Sequence, residues 1–157
     1  PVSDSDIVNG LNSAQWPARL QWFRDEKIII DGSHNIAGIK SLVYTLEQDF
    51  LEYSICLGLS LLKTKRMDAL APLLCLPNIT EVILLTGLPT EGGAYYTVDD
   101  LAHYVQMQNP RLCVTRLSLA AFLQDSLSDK NVLKLLTGSL YTAGEALKTL
   151  QSLCNVS

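Results

Sequence analysis

Ile28-Ile29-Ile30-Asp31-Gly32-Ser33-His34-Asn35 is the stretch that decides the fold. Three β-branched residues in a row favour an extended chain. Asp31-Gly32 breaks the run. From Asn35 onward the apolar residues Ile36, Ile39, Val43, Leu46 and Phe50 recur at helical spacing and mark one apolar face. A strand, a sharp turn and a helix thus follow one another within a few residues. Just upstream, Leu20–Phe23 and Ile28–Ile30 flank the charged turn Arg24-Asp25-Glu26-Lys27, the pattern of a hairpin.

Downstream the same unit returns. Ser54–Leu59 is apolar on both faces and precedes Met67, Leu70, Leu73 and Leu74 at helical spacing. Glu81–Thr86 ends at Gly87 and Pro89, and the next helix opens at Thr97, with Asp100 in the capping-box position. Arg111–Arg116 precedes a short helix from Ser118 through Gln124. Val132–Thr137 leads at once into a last helix with Leu140, Ala143, Leu147, Leu150 and Cys154 on its stripe. Doubly apolar strands alternating with helices predict an α/β fold, a Rossmann-like three-layer sandwich whose mostly parallel sheet carries helices on both faces. One domain is expected over 16–157, and the polar stretch 1–15, with Asn9-Gly10, reads as a linker.

Bulk properties narrow the function. A net charge of -4 and a pI near 5.0 leave no electrostatic footprint for nucleic acid. The apolar runs are far shorter than the ~20 residues that span a bilayer, and the acidic start does not resemble a signal peptide, so no membrane partner and a cytoplasmic location are expected. Cys56, Cys75, Cys113 and Cys154 are scattered without a C-x-x-C pair and read as buried thiols. With only His34 and His103 besides them, a zinc site has little support and no metal is assigned to this domain.

In an open α/β sheet, ligands gather beyond the carboxyl ends of the strands. Three segments belong there. Asp31-Gly32-Ser33-His34-Asn35 offers a carboxylate, a flexible turn and an imidazole, although Asp-Gly can be a plain turn and Ser33 or Asn35 a plain helix cap. Gly138-Ser139-Leu140-Tyr141 sits at the last strand-to-helix junction, where Ser139 can also be a cap. Trp16-Pro17-Ala18-Arg19-Leu20-Gln21 carries an arginine able to clamp a phosphate or to rest in solvent.

Taken in order, these three segments resemble the C-terminal domain of folylpolyglutamate synthase and dihydrofolate synthase, of the Mur ligase superfamily. That family carries W-P-G-R-L-E/Q, then a strand ending D-G-A-H-N-P, then G-S-L-Y before its last helix. The resemblance implies an ATP-dependent ligase that forms an acyl phosphate on a folate or dihydropteroate carboxylate and joins L-glutamate to it. It implies that Arg19 and Asp31 bind ATP, that His34 and Ser139 place glutamate, and that Gly32, Asn35 and Gly138 support the motifs. It also implies a partner, an N-terminal P-loop domain that holds most of the Mg2+, without which this half is inactive. This sequence departs from the family at Ala18 and Ile36, lacks the acidic G-x-x-x-D-K-D segment where Leu59–Arg66 stands, and has no arginine in Pro89–Ala94. Two other readings are a different Mur-type ligase building cell-wall peptide or cyanophycin, and a Rossmann-like module that binds a nucleotide or amino acid without chemistry.

Overall fold

The computed structural model describes residues 2–14, 16–89, 93–125, 129 and 131–154. Its sheet contains β1 (Gln21–Phe23), β2 (Ile28–Ile30), β3 (Ser54–Leu59), β4 (Ile79–Thr86), β5 (Cys113–Ser118) and β6 (Val132–Thr137), lying in the order β1-β2-β6-β3-β4-β5. β1 runs antiparallel to β2 through the charged hairpin turn, and every other pairing is parallel. The helices are α1 (Asp4–Ser13), α2 (Ile36–Asp49), α3 (Ala71–Leu74, entered through a 3-10 turn at Met67–Leu70), α4 (Val98–Gln108), α5 (Leu119–Gln124) and α6 (Leu140–Cys154).

Side chains alternate across each strand, so consecutive apolar residues serve opposite layers. Ile29, Leu57, Leu84 and Leu135 pack beneath α2, α3 and α4. Ile28, Ile30, Ile83 and Leu136 pack beneath α5 and α6. Burying each such side chain contributes about 1.5–3 kcal/mol before conformational entropy is charged against it. Both faces are therefore filled, as the doubly apolar strands require.

The order of strands is the decisive feature. After β5 the chain returns across β4 and β3 and inserts β6 between β2 and β3. The carboxyl ends of β2 and β6 become neighbours. Ser33 O then accepts the Gly138 amide at 2.9 Å and the Thr137 hydroxyl at 3.2 Å, stitching together two loops 104 residues apart.

Lys134 stands in the apolar run of β6 and is only 2% exposed. Its ammonium donates to Asp125 O at 2.7 Å, Phe122 O at 3.0 Å and Leu123 O at 3.1 Å. Three donors meet three carbonyls at the end of α5, where the helix is electronegative. Burial holds the Lys134 pKa below its ordinary value. Phe122, on the same short helix, lies against Gly58 of β3, where any Cβ would come within 2.6 Å of the ring.

Several sequence expectations are corrected. Residues 4–13, read as part of a linker, form a helix, because Ser3 and Asp6 close a capping box at its start. Ile36 faces solvent, and the buried stripe of α2 is Ile39, Leu42 and Leu46, continued by Phe50 just past its end. Leu140 is likewise exposed at the start of α6. The third helical segment is only one turn of 3-10 and one of α. Of the four thiols Cys56 is buried while Cys75 and Cys113 are exposed, and the side chain of Cys154 lies outside the described residues.

Burial and the neighbouring Glu81 carboxylate push the Cys56 thiol up to about 12. Its reactive thiolate is then scarce at neutral pH. Mass-spectrometric mapping of iodoacetamide adducts at pH 8 is expected to find Cys75 and Cys113 modified at least tenfold faster than Cys56, on the order set by that thiolate fraction. Equal rates would contradict the packing around β3.

Candidate functional site

The site is built on Asp31. β2 delivers this residue to the rim with its amide donating to Leu136 O at 3.0 Å. One carboxylate oxygen accepts the Leu20 amide at 2.9 Å and the other the Ser33 amide at 2.8 Å. Such bonds to a charged group contribute about 1.5–3 kcal/mol each. The Gly32 amide adds a bond to Ala18 O at 2.8 Å. Together they fasten segment 16–20 onto the tip of β2.

That fastening has a conformational cost. Ala18 and Leu20 take φ of +57° and +44°, left-handed conformations that cost a non-glycine residue roughly 1–2 kcal/mol each. The family glycine at the Ala18 position has this physical reason. Gly32 serves another end: a Cβ there would lie 2.9 Å from Arg19 Nη1 and 2.6 Å from Leu140 Cδ1. Its bare backbone is the floor under the guanidinium. Arg19 Nη1 donates to Ala18 O at 3.3 Å, and among the described residues no carboxylate forms an ion pair with Arg19.

Of the clefts at this rim, two bring the candidate residues together. The larger, of about 480 Å³, runs from Arg19 and Asp31 past His34 and along α2 to Ser41 and Thr45. The smaller, of about 260 Å³, is bounded by His34, Leu62, Lys65, Ser139 and Tyr141. His34 is the wall between them. Its Nδ1 donates to Gly32 O at 2.7 Å, which leaves Nε2 of the neutral ring as an acceptor. Asn35 caps α2 by accepting the Gly38 amide at 2.9 Å, so the helix begins beside the cleft that Ala37 and Gly38 line.

Gly138 forms the other side of the rim. Its φ is +98°, and a Cβ would sit 2.0 Å from Ser60 O, so only glycine fits. Ser139 follows, 1% exposed, and its Oγ accepts the Thr142 amide at 3.3 Å as the cap of α6. It is cap and cleft wall at once. The segment after β3 pairs with residues 94–96 through Lys63 N to Ala94 O at 2.8 Å and Tyr96 N to Leu61 O at 2.9 Å. Leu61 and Leu62 enter the core, and Lys65 is left facing the smaller cleft. The leucines in Leu59–Arg66 thus have a packing reason.

Arg19, Lys65 and the start of α2 all favour an anion at this rim. Among the described residues no group of three or more His, Cys, Asp or Glu side chains is placed to hold a metal ion. Arg19, Asp31 and His34 share the larger cleft, and Ser139 joins them through the His34 wall. Asp31 lines the larger cleft as a residue only 5% exposed, and its carboxylate accepts the backbone amides of Leu20 and Ser33. Lys65 and Tyr95 escaped the sequence reading. Lys65 lies in the short basic run Lys63-Thr64-Lys65-Arg66, and nothing local marks Tyr95.

No family model matches the chain. Folylpolyglutamate synthase of Lacticaseibacillus casei is 33% identical over 152 residues, which is 96% of this chain and 33% of that protein. The dihydrofolate synthase/folylpolyglutamate synthase of Bacillus subtilis is 35% identical over 65 residues, 41% of this chain and 15% of that one. By sequence and fold the chain is a relative of the folylpolyglutamate synthases. It spans about a third of the length of the Lacticaseibacillus casei enzyme. Folylpolyglutamate synthase of Mycobacterium tuberculosis, solved with ADP and AMPPCP, superposes with a TM-score of 0.73 at 25% identity, over 94% of this chain and 35% of that chain. FolC of Escherichia coli, solved with DHPP and ADP, has the same fold with a TM-score of 0.76 at 19% identity, over 98% and 36%. The α/β fold is that of the C-terminal domain of these proteins.

Gly138→Ala is expected to destabilise the chain by about 2 kcal/mol or more, from the left-handed backbone and the clash with Ser60 O together. Ala18→Gly relieves about 1–2 kcal/mol of strain and gives up a buried methyl worth about 0.8 kcal/mol. Its unfolding free energy should stay within about 1 kcal/mol of the parent, since a glycine also adds unfolded-state entropy. Urea denaturation checks both, and a Gly138→Ala chain as stable as the parent would refute the rim geometry.

Proposed function

We propose that this chain is the C-terminal domain of an ATP-dependent ligase that adds L-glutamate to folate or dihydropteroate, closing over an N-terminal P-loop domain that supplies the rest of the site. The observation that carries the reading is Arg19. Its guanidinium is seated on Gly32, free of any carboxylate partner among the described residues, at the mouth of a cleft that also receives the start of α2. A planar cation carried on a loop that backbone bonds fasten suits the phosphates of a nucleotide. The chain covers about a third of the Lacticaseibacillus casei enzyme, and the Mycobacterium tuberculosis and Escherichia coli structures carry ADP.

In the proposed reaction ATP transfers its terminal phosphoryl group to the folate-side carboxylate and leaves as ADP. The amine of glutamate then attacks the acyl phosphate, the C–N bond forms, and inorganic phosphate departs with the bond it held. Mg2+ would neutralise phosphate charge during transfer, held mainly by the P-loop half. Arg19 would stabilise charge on the phosphates, with Asp31 fixing its loop. His34, between the two clefts, would align the amine through Nε2, and Ser139 would hold glutamate from the other side. Holding the amine against the acyl phosphate accounts for most of what such a domain can contribute. On its own it lacks the groups that activate ATP.

In the full-length protein, Arg19→Ala is expected to lower kcat/KM for ATP about 100-fold, the usual scale for losing a preorganised cationic donor. His34→Ala should lower turnover about tenfold and act mainly through glutamate. Neither should shift the melting temperature by more than a few degrees, since neither side chain is buried in the core. Steady-state ligation assays with varied ATP and varied glutamate test this. Wild-type turnover in both variants would leave the domain a binding module, and glutamate ligation by the isolated 157 residues would overturn the division of labour.

A further inference from the structure

Resting on the glutamate reading above, we infer that Tyr95 is a positioning residue that makes Ser139 a hydrogen-bond donor to the carboxylate of the incoming amino acid, with Lys65 as that carboxylate's cation. The inference comes from a line of hydroxyls at the rim. Ser60 Oγ donates to Thr142 Oγ1 at 2.9 Å, and Thr142 Oγ1 donates to the Tyr95 phenol at 3.1 Å. The phenol lies 3.3 Å from Ser139 Oγ.

Proton accounting gives the line a direction. Each hydroxyl has one proton and two lone pairs. With Thr142 donating to Tyr95, the phenol keeps its own proton and can donate it to Ser139, the direction this inference takes. Ser139 Oγ also accepts the Thr142 amide, so both of its lone pairs are engaged. Its own proton has no remaining use within the line and is free for the smaller cleft that Ser139 lines. Ser60, Thr142 and Ser139 are all at most 1% exposed, which shields these three hydroxyls from water, while Tyr95 is half-buried.

The polarity of that cleft then matches an α-amino acid. Lys65 and the Ser139 proton are donors for a carboxylate, and His34 Nε2 is an acceptor for an amine. Tyr95 is held in register by the bridge between Leu62 and Tyr95, formed by the same loop that carries Lys65. The two elements of the proposed carboxylate site are thus tied to each other.

The test is steady-state ligation by the full-length protein, with glutamate and ATP varied in turn. Tyr95→Phe removes one oxygen and is expected to raise the KM for glutamate about tenfold, leaving the KM for ATP within about twofold, as loss of one hydrogen bond to a charged group would. Thr142→Val, which breaks the line one step earlier, should shift the same constant in the same direction. Ser139→Ala should match Tyr95→Phe, and the double variant should be no worse than Ser139→Ala alone, because the two act through one proton. Melting temperatures separate these effects from unfolding. If wild-type protein ligates glutamate while Tyr95→Phe and Thr142→Val both keep its KM, or if the two losses multiply, the positioning role is overturned and the function stands. Absence of glutamate ligation by the wild type overturns both.

Discussion

A single buried carboxylate organises the rim of this sheet. Asp31 accepts one amide from the loop before β1 and one from the turn before α2. It thereby joins a segment that precedes the sheet to the strand tip on which the candidate site stands. Replacing the carboxylate by an apolar group would leave two backbone donors without partners, at a cost of about 1–3 kcal/mol each. The left-handed turns at Ala18 and Leu20 persist because these bonds over-determine them. The backbone of Arg19, between those two residues, is therefore anchored at the cleft mouth.

The second constraint is strand order. With β6 inserted between β2 and β3, Gly138 meets Ser33 on one side and Ser60 on the other, and Ser139 shares a cleft with His34. The contact at Gly138 is so close that no side chain fits. The long crossover that achieves this runs through α5, a short helix held by the Lys134 ammonium and by Phe122 resting on Gly58. Cations and helix ends recur in the structure: Lys134 satisfies the end of α5, and Arg19 and Lys65 stand near the start of α2. The first is saturated by carbonyls and is structural. The other two face clefts.

Much of the fold was legible along the chain. Runs such as Ile28-Ile29-Ile30 and Val82-Ile83-Leu84-Leu85 reveal doubly buried strands because hydrophobicity is a local property, and the capping box at Thr97 is local chemistry. The motif residues Arg19, Asp31, His34 and Ser139 stand at junctions between elements, where each also reads as a plain turn, cap or solvated charge, and the resemblance is what singled them out. The helix at Asp4–Ser13 was hidden because its sequence is polar and its stability lies in a cap. The exposure of Cys75 and Cys113 was hidden because a thiol in an apolar run can face either the core or its edge.

The sequence by itself determined the alternation of strands and helices, the doubly apolar sheet and the identities of the groups at each strand end, all consequences of near-neighbour patterning. Tertiary structure alone decided that β6 lies beside β2, that the Asp31 carboxylate is turned inward upon backbone amides, and that Tyr95 reaches Ser139 across 44 residues. The physical reason is range. Periodicity and caps act over a few residues, whereas a site is assembled from side chains whose proximity is settled only when the layers close on a common core.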